Sequence, residues 1–332
     1  MMWRVLDMII YLKQYCRVWY GLLALILFMC FMGCSDNKDS SSYIMLNDDT
    51  LGKVKIHIAQ FYQNRKAAIS LTFDDGMRCH AMVAAPALEE RGLRGTFFVY
   101  GRNILPTRSE NDYTISQTEI RYMTERGHEI SNHTFNHIKM TNASEDSIRR
   151  DLAKNDSLIE LWTGKRPVTF AFPYNARNDM SIRVAKEGRV GVRTFETGFG
   201  GNVCHSTYED MVNWAEDKIK KMSGGVAMLH GINEGYDGWE DPEPFFLFLD
   251  YLKEKESELW VETFRDVCAY REEASAAKLH ATLVDGVLKG YAECKLDVSL
   301  FNHPLTLVIT TSKQEVILKD IMPNHNFQFV LK

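Results

Sequence analysis

The sequence has no excess of positive charge. Its 39 lysines and arginines are outnumbered by 44 aspartates and glutamates, and the net charge is −5. A nucleic-acid-binding surface needs clustered positive charge, so that class of partner is excluded. Cysteine is also sparse, with 7 in 332 residues. Cys16, Cys30 and Cys34 fall in the N-terminal stretch, leaving Cys79, Cys204, Cys268 and Cys294 scattered through a long chain. That pattern is neither a disulfide framework nor a zinc-binding spacing. These four read as mostly buried, small apolar residues. There is no internal repeat and no heptad run, and low complexity is confined to the polar stretch 35–42. What remains is ordinary globular material, 45% hydrophobic and 25% charged. The length suits one domain of about 200–250 residues and something smaller.

Residues 19–32 are apolar and uncharged, and Lys13 and Arg17 precede them. The run has the length of a signal-peptide core and is short for a membrane span. It ends in Phe31-Met32-Gly33-Cys34, followed by Ser35 and Asp36. This resembles a bacterial lipoprotein signal, in which Cys34 would become the lipidated first residue. An uncleaved anchor helix and plain secretion are the alternatives. All three put the chain beyond Cys34 outside the cytoplasm. The expected location is the cell envelope, on a membrane through the lipid. Segment 1–34 is thus the signal, and 35–65 a linker and lead-in.

From residue 66 short apolar runs alternate with amphipathic stretches. The runs 67–73, 95–100, 128–132, 168–172, 189–193, 225–229 and 259–261 have the length and β-branched or aromatic content of buried strands. Helical patterns at 86–90, 116–126, 144–162, 179–187, 207–222 and 242–255 lie between them. Repeated strand–helix units predict an α/β fold with a parallel sheet covered by helices. Their number suggests a distorted (β/α)7-type barrel over 66–276, with an open doubly wound sheet as the alternative. The texture changes over 277–332. Strand-like runs at 279–284, 291–298, 305–311, 315–318 and 327–331, with turns at Asp285-Gly286 and Pro323-Asn324, predict a small all-β domain. Alone it would bury only a thin core, so it is expected to pack on the barrel.

Chemistry-bearing residues stand where these strands end. The first run is followed by Asp74, Asp75 and Gly76, and the third by His133, with His137 four residues on. The fourth leads into Pro173 and Tyr174, the sixth into His230. In parallel α/β folds these strand ends share one face. Each piece has a plainer explanation: Asp-Asp-Gly is a common turn, and a histidine pair is often surface decoration. Together they offer two imidazoles and a carboxylate, the donor set of a hydrolytic metal site with a position open for water. A further carboxylate and a further imidazole remain for acid–base work.

The segment Ser70-Leu71-Thr72-Phe73-Asp74-Asp75-Gly76 resembles the first motif of the polysaccharide deacetylases, carbohydrate esterase family four. His133-Thr134-Phe135-Asn136-His137 resembles the second, Phe172-Pro173-Tyr174 part of the third, and Leu229-His230 the fifth. The resemblance spans roughly residues 67–270. It implies a distorted (β/α) barrel that removes acetyl groups from an acetylated oligo- or polysaccharide. It implies one divalent metal on Asp75, His133 and His137: zinc first, with cobalt, nickel or manganese as alternatives. Asp74 would be the base, His230 the acid, and the Tyr174 N–H an oxyanion donor, with Thr134 shaping its loop.

Two departures stand out. Ala171 occupies the position where the third motif usually begins with an arginine that orients the base. The fourth motif, an aspartate and tryptophan pair supporting the acid histidine, is absent from the sequence. Arg193, closing the fifth run, is a candidate for the missing guanidinium, and Asp266 for a group near the mouth. His128 and His205 read as structural or surface groups. Residues 231–239 have the Gly, Tyr and Trp content of a sugar-facing loop. Tyr236 and Trp239, with Pro173 and Tyr174, are the substrate-binding candidates, packing being the alternative for the first two. The competing function is a lipid-anchored glycan-binding protein with a weakened site. A barrel hydrolase cleaving a C–N bond in a small molecule is less compatible with the N-terminal signal. The all-β domain is expected to brace the barrel rather than bind sugar.

Overall fold

The computed structural model describes residues 43–109 and 112–331. The apolar run 19–32 and Cys34 lie outside them. Among the described residues no helix is long and apolar enough to cross a membrane.

Two strands open the described chain, β1 (Ile44–Asp48) and β2 (Gly52–Ile58). The barrel strands follow: β3 (Ala67–Asp74), β4 (Thr96–Val99), β5 (Glu129–Asn132), β6 (Thr169–Ala171), β7 (Gly191–Arg193), β8 (Thr197–Gly198), β9 (Gly224–Leu229) and β10 (Leu259–Val261). Their order is β7-β6-β5-β4-β3-β9-β8, all parallel, with β10 added to β3. Strand β3 is the hub and is buried along its whole length. One of its edges pairs with β9 from Ala68 to Phe73. On its other edge β10 pairs with Ala67–Ile69 and β4 with Thr72–Asp74. The sheet therefore splits at that edge. Its two outermost strands, β7 and β8, are separated by residues 194–196 alone. The expected distorted parallel barrel is thus the observed fold, and every expected barrel strand is present.

The helices obey the local chemistry. Ser116 and Glu119 form a capping box at the start of Gln117–Glu125, and Ser144 caps Glu145–Thr163. Thr207 and Asp210 do the same for Tyr208–Lys221. A helix not expected from the sequence, Phe264–Ala276, is capped by Thr263 and Asp266. Asp266 accepts from the Thr263 hydroxyl and pairs with Arg265. It is employed in starting a helix rather than at the mouth.

The last five strands are β11 (Lys278–Val284), β12 (Val287–Glu293), β13 (Leu305–Thr310), β14 (Val316–Ile321) and β15 (Asn326–Val330). Strand β12 starts before the expected 291–298 run. Asp285 and Gly286 both have positive φ, 48° and 72°, and Val284 pairs directly with Val287. The turn is therefore a two-residue hairpin with no spare chain. A second difference concerns 35–65: β1 and β2 form the sheet β1-β2-β13-β14. The lead-in thereby supplies half of the β layer that the C-terminal strands complete. Its signal is the alternation Lys53-Val54-Lys55-Ile56-His57-Ile58, in which Val54 and Ile56 are buried. This layer packs on the barrel. Val54, Ile56, Leu305, Leu307 and Ile309 share one apolar cluster with Ala68, Trp260, Val267 and Tyr270, and the Tyr270 hydroxyl donates to the Ala59 carbonyl at 2.9 Å.

Candidate active site

Asp74 is the last residue of β3, and the chain then turns through Asp75 at φ 76° and Gly76 at φ 62°. Thr134, His137 and Tyr174 also hold left-handed backbone, at 63°, 54° and 58°. For side-chain-bearing residues this costs about 1–3 kcal/mol each, and it persists where the surroundings hold it. The support for 133–137 is visible. Thr134 N–H donates to Asn132 Oδ1 at 2.7 Å, and the Thr134 hydroxyl accepts from Ile138 N–H at 3.1 Å. Asp151, on the helix Glu145–Thr163, accepts from the N–H of Asn136 at 3.2 Å and from its side-chain amide at 2.6 Å. Asn155, one turn on, donates to Asn132 Oδ1 and to the Val99 carbonyl at 3.0 and 2.8 Å.

The result brings Asp75, His133 and His137 together, with one donor atom from each within 4.8 Å of the others. His137 Nε2 lies 3.0 Å and His133 Nε2 3.5 Å from Asp75 Oδ1. His133 Nδ1 lies 2.8 Å from the Ala171 carbonyl, so it carries the ring proton and Nε2 keeps its lone pair. Burial disfavours the charged imidazole of His133. Asp75 Oδ1 is buried, and no donor meets it in hydrogen-bond geometry. Burial opposes its ionisation, but the imidazoles of His137, His133 and His230 hold the carboxyl below its ordinary range. Two imidazole nitrogens converging on a buried carboxylate oxygen are the donor set a divalent cation satisfies.

Asp74 has the opposite surroundings. Arg193 Nη1 donates to its Oδ1 at 2.7 Å and to Thr72 Oγ1 at 2.8 Å, and Nη2 pairs with Asp74 Oδ2. Arg193 is buried and stands in register with Ala171 on the neighbouring strand. A guanidinium from β7 therefore fills the role open at Ala171. Burial pushes the Asp74 carboxyl up, but Arg193, His133 and His230 outweigh it and hold it at about 2.

His230 directly follows β9, with Nε2 4.0 Å from Asp75 Oδ2. Tyr236 sets its ring edge-on to His230 at 5.0 Å. Tyr174 lies 4.6 Å and Tyr100 5.1 Å from the His137 ring. Tyr174 and Tyr236 are exposed. Two candidates are not surfaces for a sugar. Trp239 is buried, stacks on Phe245 and donates its indole N–H to the Ser206 carbonyl at 3.0 Å. Pro173 is buried as well and fixes the turn that presents Tyr174. His128 is structural: it accepts from Gly95 N–H at 3.1 Å under the sheet. Sequence reasoning missed Tyr100, Asp151, Asn155 and His80, whose Nε2 lies 2.7 Å from the His230 carbonyl. The available signal was polar residues four apart on the apolar face of a helix, Asp151 and Asn155.

A parallel barrel with an Asp-His-His cluster and an adjacent buried carboxylate at the strand ends has the construction of a hydrolytic α/β barrel. Residues 62–195, which contain β3 to β7, match the family profile described as polysaccharide deacetylase. The chain is 28% identical over 177 residues to a peptidoglycan-N-acetylglucosamine deacetylase of Bacillus cereus, covering 50% of this chain and 74% of that one. It is 26% identical over 184 residues to a chitin deacetylase of Arthroderma benhamiae, covering 46% and 48%. The match thus spans less than half of the second relative. A Mycobacterium smegmatis structure assigned to the polysaccharide deacetylases superposes with a TM-score of 0.51 at 17% identity, over 64% of this chain and 92% of that one. That likeness shows the fold.

Proposed function

We propose that the protein is a metal-dependent hydrolase that removes acetyl groups from an N- or O-acetylated glycan. The observation that carries this is the division of labour between neighbouring carboxylates. Asp75 faces ring nitrogens of His133 and His137, while Asp74 is clamped by Arg193. A divalent ion held by Asp75, His133 and His137 would make a water acidic and polarise the acetyl carbonyl. Zinc suits the donors best; cobalt, nickel or manganese also fit. Asp74, kept ionised by Arg193, would be the base that takes a proton from that water. Arg193 fixes the aim of its carboxylate. The peptide N–H of Tyr174 would stabilise charge on the carbonyl oxygen. His230 would protonate the departing amine or alcohol. Tyr174 and Tyr236, exposed beside the mouth, would bind the sugar. The names of the Bacillus cereus and Arthroderma benhamiae relatives support an N-acetylglucosamine-containing glycan as substrate.

The test is acetate release from peptidoglycan, chitooligosaccharides and acetylated xylan, with and without chelator. No release from any of them, together with no bound metal, sinks the reading. Asp74→Asn should abolish turnover while metal stays bound; loss of metal there would mean that Asp74 and Asp75 have each other's roles. We also propose that Cys34 carries lipid and anchors the protein in the cell envelope. Fatty-acid labelling of the wild type and its absence in Cys34→Ala is the expected result. Equal labelling of both disproves it.

A further inference from the structure

One buried imidazole beside the site takes no part in the chemistry above. His80 opens the π-helical turn His80–Ala84, just after the Asp74-Asp75-Gly76 bend. It is fully buried and packs against the rings of Phe73 and Phe97 at 5.5 and 5.6 Å. Both of its ring nitrogens are committed to backbone. Met77 N–H donates to Nδ1 at 3.2 Å, so Nδ1 carries the lone pair. Nε2 therefore carries the proton and donates to the His230 carbonyl at 2.7 Å. A single neutral tautomer thus ties the turn after β3, which follows Asp74 and holds Asp75, to the residue just past β9. Two contacts run beside it. The Arg78 guanidinium pairs with Glu234 through both carboxylate oxygens, with Nε 2.6 Å from Oε1. The Cys79 thiol lies 3.7 Å from the Glu234 carbonyl. The loop carrying Tyr236 is therefore stitched to the segment 77–80.

We propose that His80 is a positioning residue for the acid step: by holding the peptide of His230 it keeps that imidazole facing Asp75 across the mouth. This rests on reading His230 as the proton donor to the leaving group. The physical reason is leverage. A side chain rooted on an unheld strand end can drift, and a misplacement of about 1 Å costs on the order of 10²-fold in rate.

The test compares two substrates of the whole protein. One is an acetylated glycan that it turns over, whose amine or alcohol needs a proton to leave. The other is 4-nitrophenyl acetate, whose phenolate leaves without one. His80→Leu is expected to lower kcat on the glycan by about 10–100-fold and on the aryl ester by less than about 3-fold, with KM and metal content little changed. His80→Gln has an amide that can accept from Met77 and donate to His230, and it should restore most of the loss. Should His80→Leu fail to fold, His80→Asn decides, being polar but too short to reach both groups; it should show the same selective loss. Equal losses on the two substrates, or no loss on the glycan, overturn the proposal. His230→Ala separates the two readings. If it too lacks selectivity, the acid assignment itself fails. If it is selective and the His80 variants are not, only the role of His80 falls.

Discussion

Asp74 and Arg193 bury two opposite charges together, and neither is tolerable there alone. Arg193→Met should cost about 3–5 kcal/mol of stability, because it strands the carboxylate. Its pH signature has a definite sign. With Arg193 present the Asp74 value lies below the ordinary 3.8, at about 2. The pair therefore stabilises the fold fully above the ordinary value and fails only as the pH falls through about 2. Without the guanidinium the strongest counterweight to burial is gone, and the value rises. The acid limb of the kcat/KM profile should then move to higher pH; an unmoved limb would mean that Asp74 is not the base. At this scale the sequence was informative wherever a polar residue ended an apolar run, as at Asp74, Asp75, His133 and His230. It pointed to Arg193 only through the vacancy at Ala171. It could not say which way a ring faces. Trp239 had the composition of a sugar contact and is packed inward, whereas Tyr100, read merely as the end of a strand, stands by His137.

The helix Glu145–Thr163 buries Asp151, Asn155 and Asp156 on the face toward the barrel. An amphipathic helix ordinarily hides apolar groups there. Asp151 instead holds the N–H groups of Phe135 and Asn136, and Asn155 and Asp156 hold the side chain of Asn132, so the loop bearing His133 and His137 is fixed from this helix. Asp151→Ala should therefore lower metal affinity by about 10–100-fold, the usual effect of losing a group that orients ligands. Competition with a chelator measures it, and unchanged retention would show that the loop holds itself. The barrel strands were legible because runs buried on both faces have no alternation to confuse. The alternation of strand β2 is regular, but alternation by itself does not say what a strand pairs with. Its partner, β13, lies far along the chain. The helix Phe264–Ala276 has its start marked by Thr263 and Asp266, but its buried face mixes Glu273 with apolar residues and so carries a weak amphipathic signal.

At the scale of the molecule, the β layer is not detachable. It covers Ala68, Trp260, Val267 and Tyr270 on the barrel, so removing residues 277–332 should expose that apolar surface. The expected outcome is an insoluble or metal-free product, read by sedimentation and metal content. A soluble truncated barrel with full activity would show that the layer serves another purpose. The pairing of β2 with β13 also sets an order of events during synthesis. Ile56 is made long before its neighbour Ile309. Until then β2 has a free edge and the barrel an uncovered face, the features that invite association between growing chains. Strands β13 and β14 are thus the ones that close this layer. A nascent chain arrested before β13 should need a chaperone, whereas one released whole should not.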